Sequence, residues 1–139
     1  MIILDTDLLT IIQRAESQEY ENLVDRLDAA DDDVAVSIVS FEEQMRGWLA
    51  FIARASTSDD QITGYARLHG LLEDYANRPI LDFDHTAVIE YQRLQNSKVR
   101  VGTMDLKIAA IALAHNALLL SRNITDFRRV PGLRVDDWA

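Results

Sequence analysis

Five short runs of mostly aliphatic residues, at positions 2–4, 34–39, 80–83, 117–120 and 133–135, constrain this chain more than any other feature. Each is bounded by polar or turn-forming residues and is too short for a buried helix, so each reads as a strand. The run at 34–39 is rich in valine and isoleucine, which suits a pleated, buried surface. Between these runs apolar residues recur at helical spacing. Leu23, Leu27 and Ala30 do so within residues 8–30, before the acidic turn at 31–33. Ser40 stands three residues before Glu43, the spacing of a capping box, and Met45, Trp48, Leu49 and Ile52 follow on one face. After an interruption at 56–60, Ile62, Tyr65, Leu68, Leu72 and Tyr75 form a further stripe, so the two segments predict a helical hairpin. Asp84 is placed to cap a helix carrying Ala87, Val88, Tyr91 and Leu94. Residues 104–116 form an alanine-rich helix able to lie close to a sheet, and 121–131 are a polar connection. Strands alternating with amphipathic helices predict an α/β fold, with helices on both faces of a mostly parallel sheet. At 139 residues the expectation is a single domain, 1–139.

Charge and composition restrict the chemistry. There is no cysteine, which excludes disulfides, thiolate metal sites and cysteine nucleophiles. No apolar run is long enough to span a bilayer and the first residues lack the basic flank of a secretory signal, so a cytoplasmic protein with no membrane partner is expected. Lys and Arg number 14 against 23 Asp and Glu, a net charge of −9. That balance argues against a surface held to nucleic acid mainly by phosphate contacts. It does not argue against an acidic centre that loads divalent cations.

Ligands of open α/β sheets bind beyond the carboxyl ends of the strands. Asp5 ends the first strand, Asp126 lies beyond the strand at 117–120, Glu43 follows the strand at 34–39 by a helical turn, and Asp105 opens the alanine-rich helix. Convergence of these four carboxylates would make an oxygen-donor site for Mg2+, or Mn2+. Such cations relieve the repulsion among the acids, lower the pKa of attacking water and neutralise a leaving oxygen, which suits phosphodiester hydrolysis. Spacing alone does not select that reaction over other metal-assisted ones.

The stretches ILDTDLL, SIVSFEEQMRG, GTMDLKIAAIALAHNALLLSRNITDF and VPGLRVDDW together resemble the PIN-domain family, and within it the VapC toxins of type II toxin–antitoxin pairs. The opening resembles that family's strand followed by Asp-Thr-Asn, with Asp7 standing where Asn is usual. The resemblance puts Asp5, Glu43, Asp105 and Asp126 on its four acidic positions, and covers nearly the whole chain, the middle helices being least diagnostic. It implies a three-layer α/β/α fold with a parallel sheet of about five strands. It also implies hydrolysis of RNA to 5′-phosphate and 3′-hydroxyl ends, a homodimer, and silencing by a cognate antitoxin.

On this reading Asp5, Glu43, Asp105 and Asp126 are catalytic metal ligands, with support from Thr6, Ser121 and Asn123. Strand-end and helix-cap chemistry is the ordinary alternative for each acid. Glu42 and Asp7 are expected only to tune the field of the site. His69, His85 and His115 form no acid–base or metal set. Arg46, Lys98, Arg100, Arg122, Arg128 and Arg129 are read first as solvated or ion-paired, and Trp48, Tyr65 and Tyr75 as packing residues rather than base-stacking ones. Two rivals stay open: a noncatalytic PIN-like interaction module, and a metal-dependent phosphatase or nuclease acting on DNA or a small phosphate.

Overall fold

The computed structural model describes residues 1–139 and contains five strands and seven helices. In chain order they are β1 (Ile2–Leu4), α1 (Thr6–Arg14), α2 (Gln18–Ala30), β2 (Val34–Ser37), α3 (Ile38–Arg54), α4 (Ser58–Ala76), β3 (Ile80–Leu81), α5 (His85–Asn96), α6 (Thr103–Ala114), β4 (Leu118–Leu120), α7 (Ile124–Phe127) and β5 (Arg134–Asp136). The sheet order is β3-β2-β1-β4-β5, and every pairing is parallel. β1 is central, with Ile3 in register with Ala35 on one side and Leu119 on the other.

The two-residue period of a strand divides the core into two layers. Ile3 and Leu119 face a cluster built with Leu94 of α5 and with Ile108, Ala109, Ile111 and Ala112 of α6. Ile2, Leu4, Val36 and Leu120 face the opposite cluster, with Leu8 and Leu9 of α1, Leu23 of α2, and Leu71 and Tyr75 of α4. Helices thus cover both faces, the three-layer α/β/α arrangement expected from the alternating pattern. α6 is buried almost all round because its alanines let it approach the sheet closely. α3 and α4 form the expected hairpin, and a Cβ on Gly64 would come within 2.5 Å of Ile52 Cγ1, so the two helices touch there at glycine distance.

Several boundaries differ from the sequence reading, each for a local reason. The segment 8–30 is two helices, because Ala15 turns left-handed at φ 54° and Ser17 caps a new helix by accepting from the Tyr20 N–H at 3.1 Å. The strand expected at 34–39 stops at Ser37, which itself caps α3 by accepting from the Ser40 N–H at 3.1 Å. Ser40 is therefore inside the helix, and the Ser40–Glu43 capping box is not formed. β3 is confined to Ile80–Leu81. Asp84 caps α5 as expected, accepting from the Ala87 N–H at 3.0 Å. The polar connection after β4 contains the single turn α7. No helix is long and apolar enough to cross a membrane.

Candidate active site

Because all five strands run parallel, their carboxyl ends share one edge, and the residues following the central strands meet there. Asp5 leaves β1 as the N-cap of α1, accepting from the Thr6 N–H at 2.8 Å. Its other oxygen accepts from Ser121 Oγ at 2.7 Å, directly after β4. Only 5% of Asp5 is exposed. That burial, with the neighbouring charges of Asp7 and Asp105, outweighs the two hydrogen bonds and pushes its carboxyl from 3.8 up to about 7.

α3 carries Glu43 into the same region. Thr6 Oγ1 donates to Glu43 Oε1 at 3.0 Å and lies 2.9 Å from Ser40 Oγ. Half-burial raises the Glu43 carboxyl; Thr6 opposes this, and Asp105, Glu42 and Asp7 add to it. Asp105 lies in the first turn of α6 and is also raised, by burial first and then by Asp126 and Asp7, against the hydrogen bond from Asn123. The Asn123 amide joins two acids: Nδ2 is 3.2 Å from Asp105 Oδ2 and 3.1 Å from Asp126 Oδ2. Its backbone N–H donates to Ser121 Oγ at 2.9 Å. Ser121 and Asn123 thus bind to each other as well as to the acids.

The structure brings Asp5, Glu43, Asp105 and Asp126, with Thr6, Ser121 and Asn123, onto one edge through this chain of contacts. No three acidic or imidazole groups converge closely enough to form a ready-made cation cage. The remaining expected residues divide. Asp7 faces the site, accepting from the Leu8 N–H at 2.7 Å and from the Arg122 N–H at 3.1 Å. Burial raises its carboxyl, those two N–H groups oppose the rise, Asp137 adds to it and the Arg122 guanidinium counters it. Glu42 instead pairs with Arg46 at 2.6 Å. Asp126 also meets Arg129 Nη1 at 3.4 Å. The histidines stand apart: His69 pairs with Glu73 at 3.1 Å, His85 begins α5 and His115 ends α6. Tyr75 is buried and Trp48 half-buried, whereas Tyr65 is 60% exposed and packs into neither cluster.

Sequence reasoning missed Ser37 and gave Ser40 only a capping role; both are fully buried, Ser40 within hydrogen-bonding reach of Thr6, and their three-residue separation is itself a cap spacing. It also missed a polar junction of α1, α3 and α4. There the Gln13 and Gln44 amides bond reciprocally at 3.1 and 2.7 Å, Tyr75 OH donates to Gln44 Oε1 at 2.8 Å, and Gln13 Nε2 donates to Asp74 at 2.9 Å. No local sequence signal reports that junction, because its partners lie 31 and 61 residues apart.

A parallel five-stranded sheet between helical layers, with acids gathered over the carboxyl ends of its central strands, defines a PIN-like α/β protein. The model for the family described as PIN domain matches residues 2–133, and the chain belongs to that family. It is related to VapC-type ribonucleases: ribonuclease VapC2 of Rickettsia felis is 26% identical over 140 residues, covering 98% of this chain and 96% of the relative. The crystal structure of VapBC2 from Rickettsia felis bound to a promoter DNA fragment superposes with a TM-score of 0.72 at 25% identity, covering 100% of both chains. DNA-bound VapBC from Salmonella typhimurium gives a TM-score of 0.74 at 21% identity, covering 99% of this chain and 98% of that one, a likeness of fold.

Proposed function

We propose that residues 1–139 form one nuclease domain, a divalent-metal-dependent endoribonuclease acting as the toxin of a toxin–antitoxin pair. The observation that carries this reading is the hydrogen-bonded edge on which Asp5, Glu43, Asp105 and Asp126 are held by Ser121, Thr6 and Asn123. The family supports the ribonuclease class, and the VapBC complexes among the similar structures support an antitoxin partner.

The donor set fits a hard cation. It consists of carboxylate oxygens alone, and the raised carboxyls of Asp5, Glu43 and Asp105 reflect burial and mutual repulsion that a cation relieves. Asp5, Glu43, Asp105 and Asp126 are the residues assigned to hold it. When bound, Mg2+ or Mn2+ supplies charge that acidifies water and neutralises a leaving oxygen. Ser121 and the Thr6 N–H fix the two oxygens of Asp5, Thr6 Oγ1 orients Glu43, and Asn123 sets the separation of Asp105 from Asp126. RNA is the proposed substrate and the cytoplasm the proposed location. A homodimer completes the reading, supported by the exposed Ile62, Tyr65 and Leu72 on one face of α4.

The test is cleavage of a mixed RNA pool by purified, antitoxin-free protein with Mg2+ or Mn2+, beside folded Asp105→Asn and a chelator control. Cuts that vanish in both controls are expected. Undiminished cutting in Asp105→Asn would remove the proposed mechanism, and no cutting by the unaltered protein would favour the noncatalytic interaction module.

A further inference from the structure

A groove of about 1090 Å³ runs beside the acidic edge, between the C-terminal half of α1 and the α3–α4 hairpin. Arg14, Arg54, Arg67 and Arg122 line it. All four are exposed, and none makes an ion pair; Arg26, Arg46, Arg78, Arg93 and Arg129 each pair with a carboxylate, and the other unpaired arginines, Arg100, Arg128 and Arg134, lie outside the groove. In a chain of net charge −9, this concentration of unpaired cations in one cleft is the opposite of the average surface. Of the acids along the groove, Asp74 is neutralised by Arg78 at 2.9 Å, leaving Glu16 and Glu19 at the end where α1 meets α2.

We propose that this groove is the path of a single-stranded RNA leading to the acidic edge, its arginines holding successive phosphates. The inference rests on the nuclease reading for the identity of the strand. Arg122 joins the two regions: its backbone N–H is held by Asp7, and it stands between Ser121 and Asn123, which bind Asp5, Asp105 and Asp126. A phosphate at the acids therefore continues toward Arg122 and the groove. Trp48 and Phe51, packed edge to face at 5.6 Å, give the α3 wall an apolar surface for bases or riboses. A Cβ on Gly47 or Gly70 would meet nothing within 4 Å, so the walls stand open at both. Polar side chains and glycines predominate in the lining, with 5 hydrophobic residues among 18. That composition suits a polyanion better than an amphipathic helix, which needs an apolar stripe to dock.

The test measures anisotropy of a short, fluorescein-labelled, random-sequence RNA in chelator, where binding is separated from cleavage. Arg54→Gln/Arg67→Gln is expected to weaken binding about tenfold and to lower the dependence of log affinity on log salt by about 1 to 2. Its thermal midpoint should match the parent, since both side chains are exposed and unpaired. Lys98→Gln, which removes an unpaired charge outside the groove, should leave affinity unchanged, and Asp105→Asn should retain binding. An unchanged affinity and salt slope in the double variant would overturn the proposal. So would tighter binding of a poly-glutamate peptide than of RNA, lost in the same variant, because the groove would then be a peptide site. If the parent cuts no RNA yet binds it through Arg54 and Arg67, the nuclease reading fails alone. Normal cutting by the double variant at subsaturating RNA would remove the groove and leave that reading standing.

Discussion

Ser121 Oγ donates to Asp5 Oδ2 across 2.7 Å, tying the end of β4 to the end of β1 over a separation of 116 residues. The same oxygen accepts from the Asn123 N–H at 2.9 Å, so one buried hydroxyl aligns the Asp5 carboxylate and the loop that carries Asp126.

Ser121→Ala should destabilise the protein by about 1–3 kcal/mol, the range for removing a charge-assisted, buried partner. The bond favours ionised Asp5, so the loss should be larger at pH 8 than at pH 5. Urea unfolding at the two pH values checks this, and equal losses would contradict it.

Asp5 makes the metal-free protein lose stability between acid and neutral pH. The folded state keeps the Asp5 proton up to about pH 7, whereas the ordinary carboxyl releases it near 3.8. The folded state therefore binds more protons between those values, and the Asp5 contribution to stability is greatest below about pH 4, falls as pH rises toward 7 and is lost above it. The full span is about 4 kcal/mol at most. Asp5→Asn should flatten this dependence and raise the thermal midpoint at pH 8 in chelator. A midpoint that stays below the parent's there would count against the assignment.

Asn123→Ala removes the amide between Asp105 and Asp126. Metal-dependent RNA cleavage, or apparent Mn2+ affinity read by thermal shift, should fall by roughly 10–100-fold, as for other groups that orient metal ligands. Full retention of both would show that Asn123 serves only the loop.

Gly64→Ala should cost about 1–3 kcal/mol despite alanine's better helix propensity, because the added Cβ would lie 2.5 Å from Ile52 Cγ1 and 3.0 Å from Phe51 Cδ1. A stabilised variant would mean that α3 and α4 separate at little cost.

Strand and helix periodicity made the layer order legible, because burial on both faces of a parallel strand demands continuous apolar runs, and helices covering a sheet demand stripes. The identity of the four acids was legible only through their ordered resemblance to a family, since an acid such as Asp5 also serves as an ordinary helix cap. What no local pattern carried was the set of partners. Ser37 rather than Ser40 caps α3 because the chain must leave the sheet one residue past Val36. Asp7 and Glu42, alike as acids near the site, part company because one faces the β4 loop and the other a helical turn of its own helix.

The sequence by itself determined an acidic α/β chain with five short strands and an acid after two of its central strands, since hydrophobic period and residue chemistry are local properties. Tertiary structure decided that Ser121 meets Asp5, that Asn123 spans Asp105 and Asp126, and that four arginines from α1, α3, α4 and the β4 loop line one groove. Those relationships depend on parallel strands placing all their carboxyl ends at one edge, and on helix packing that sets side chains tens of residues apart within hydrogen-bonding reach.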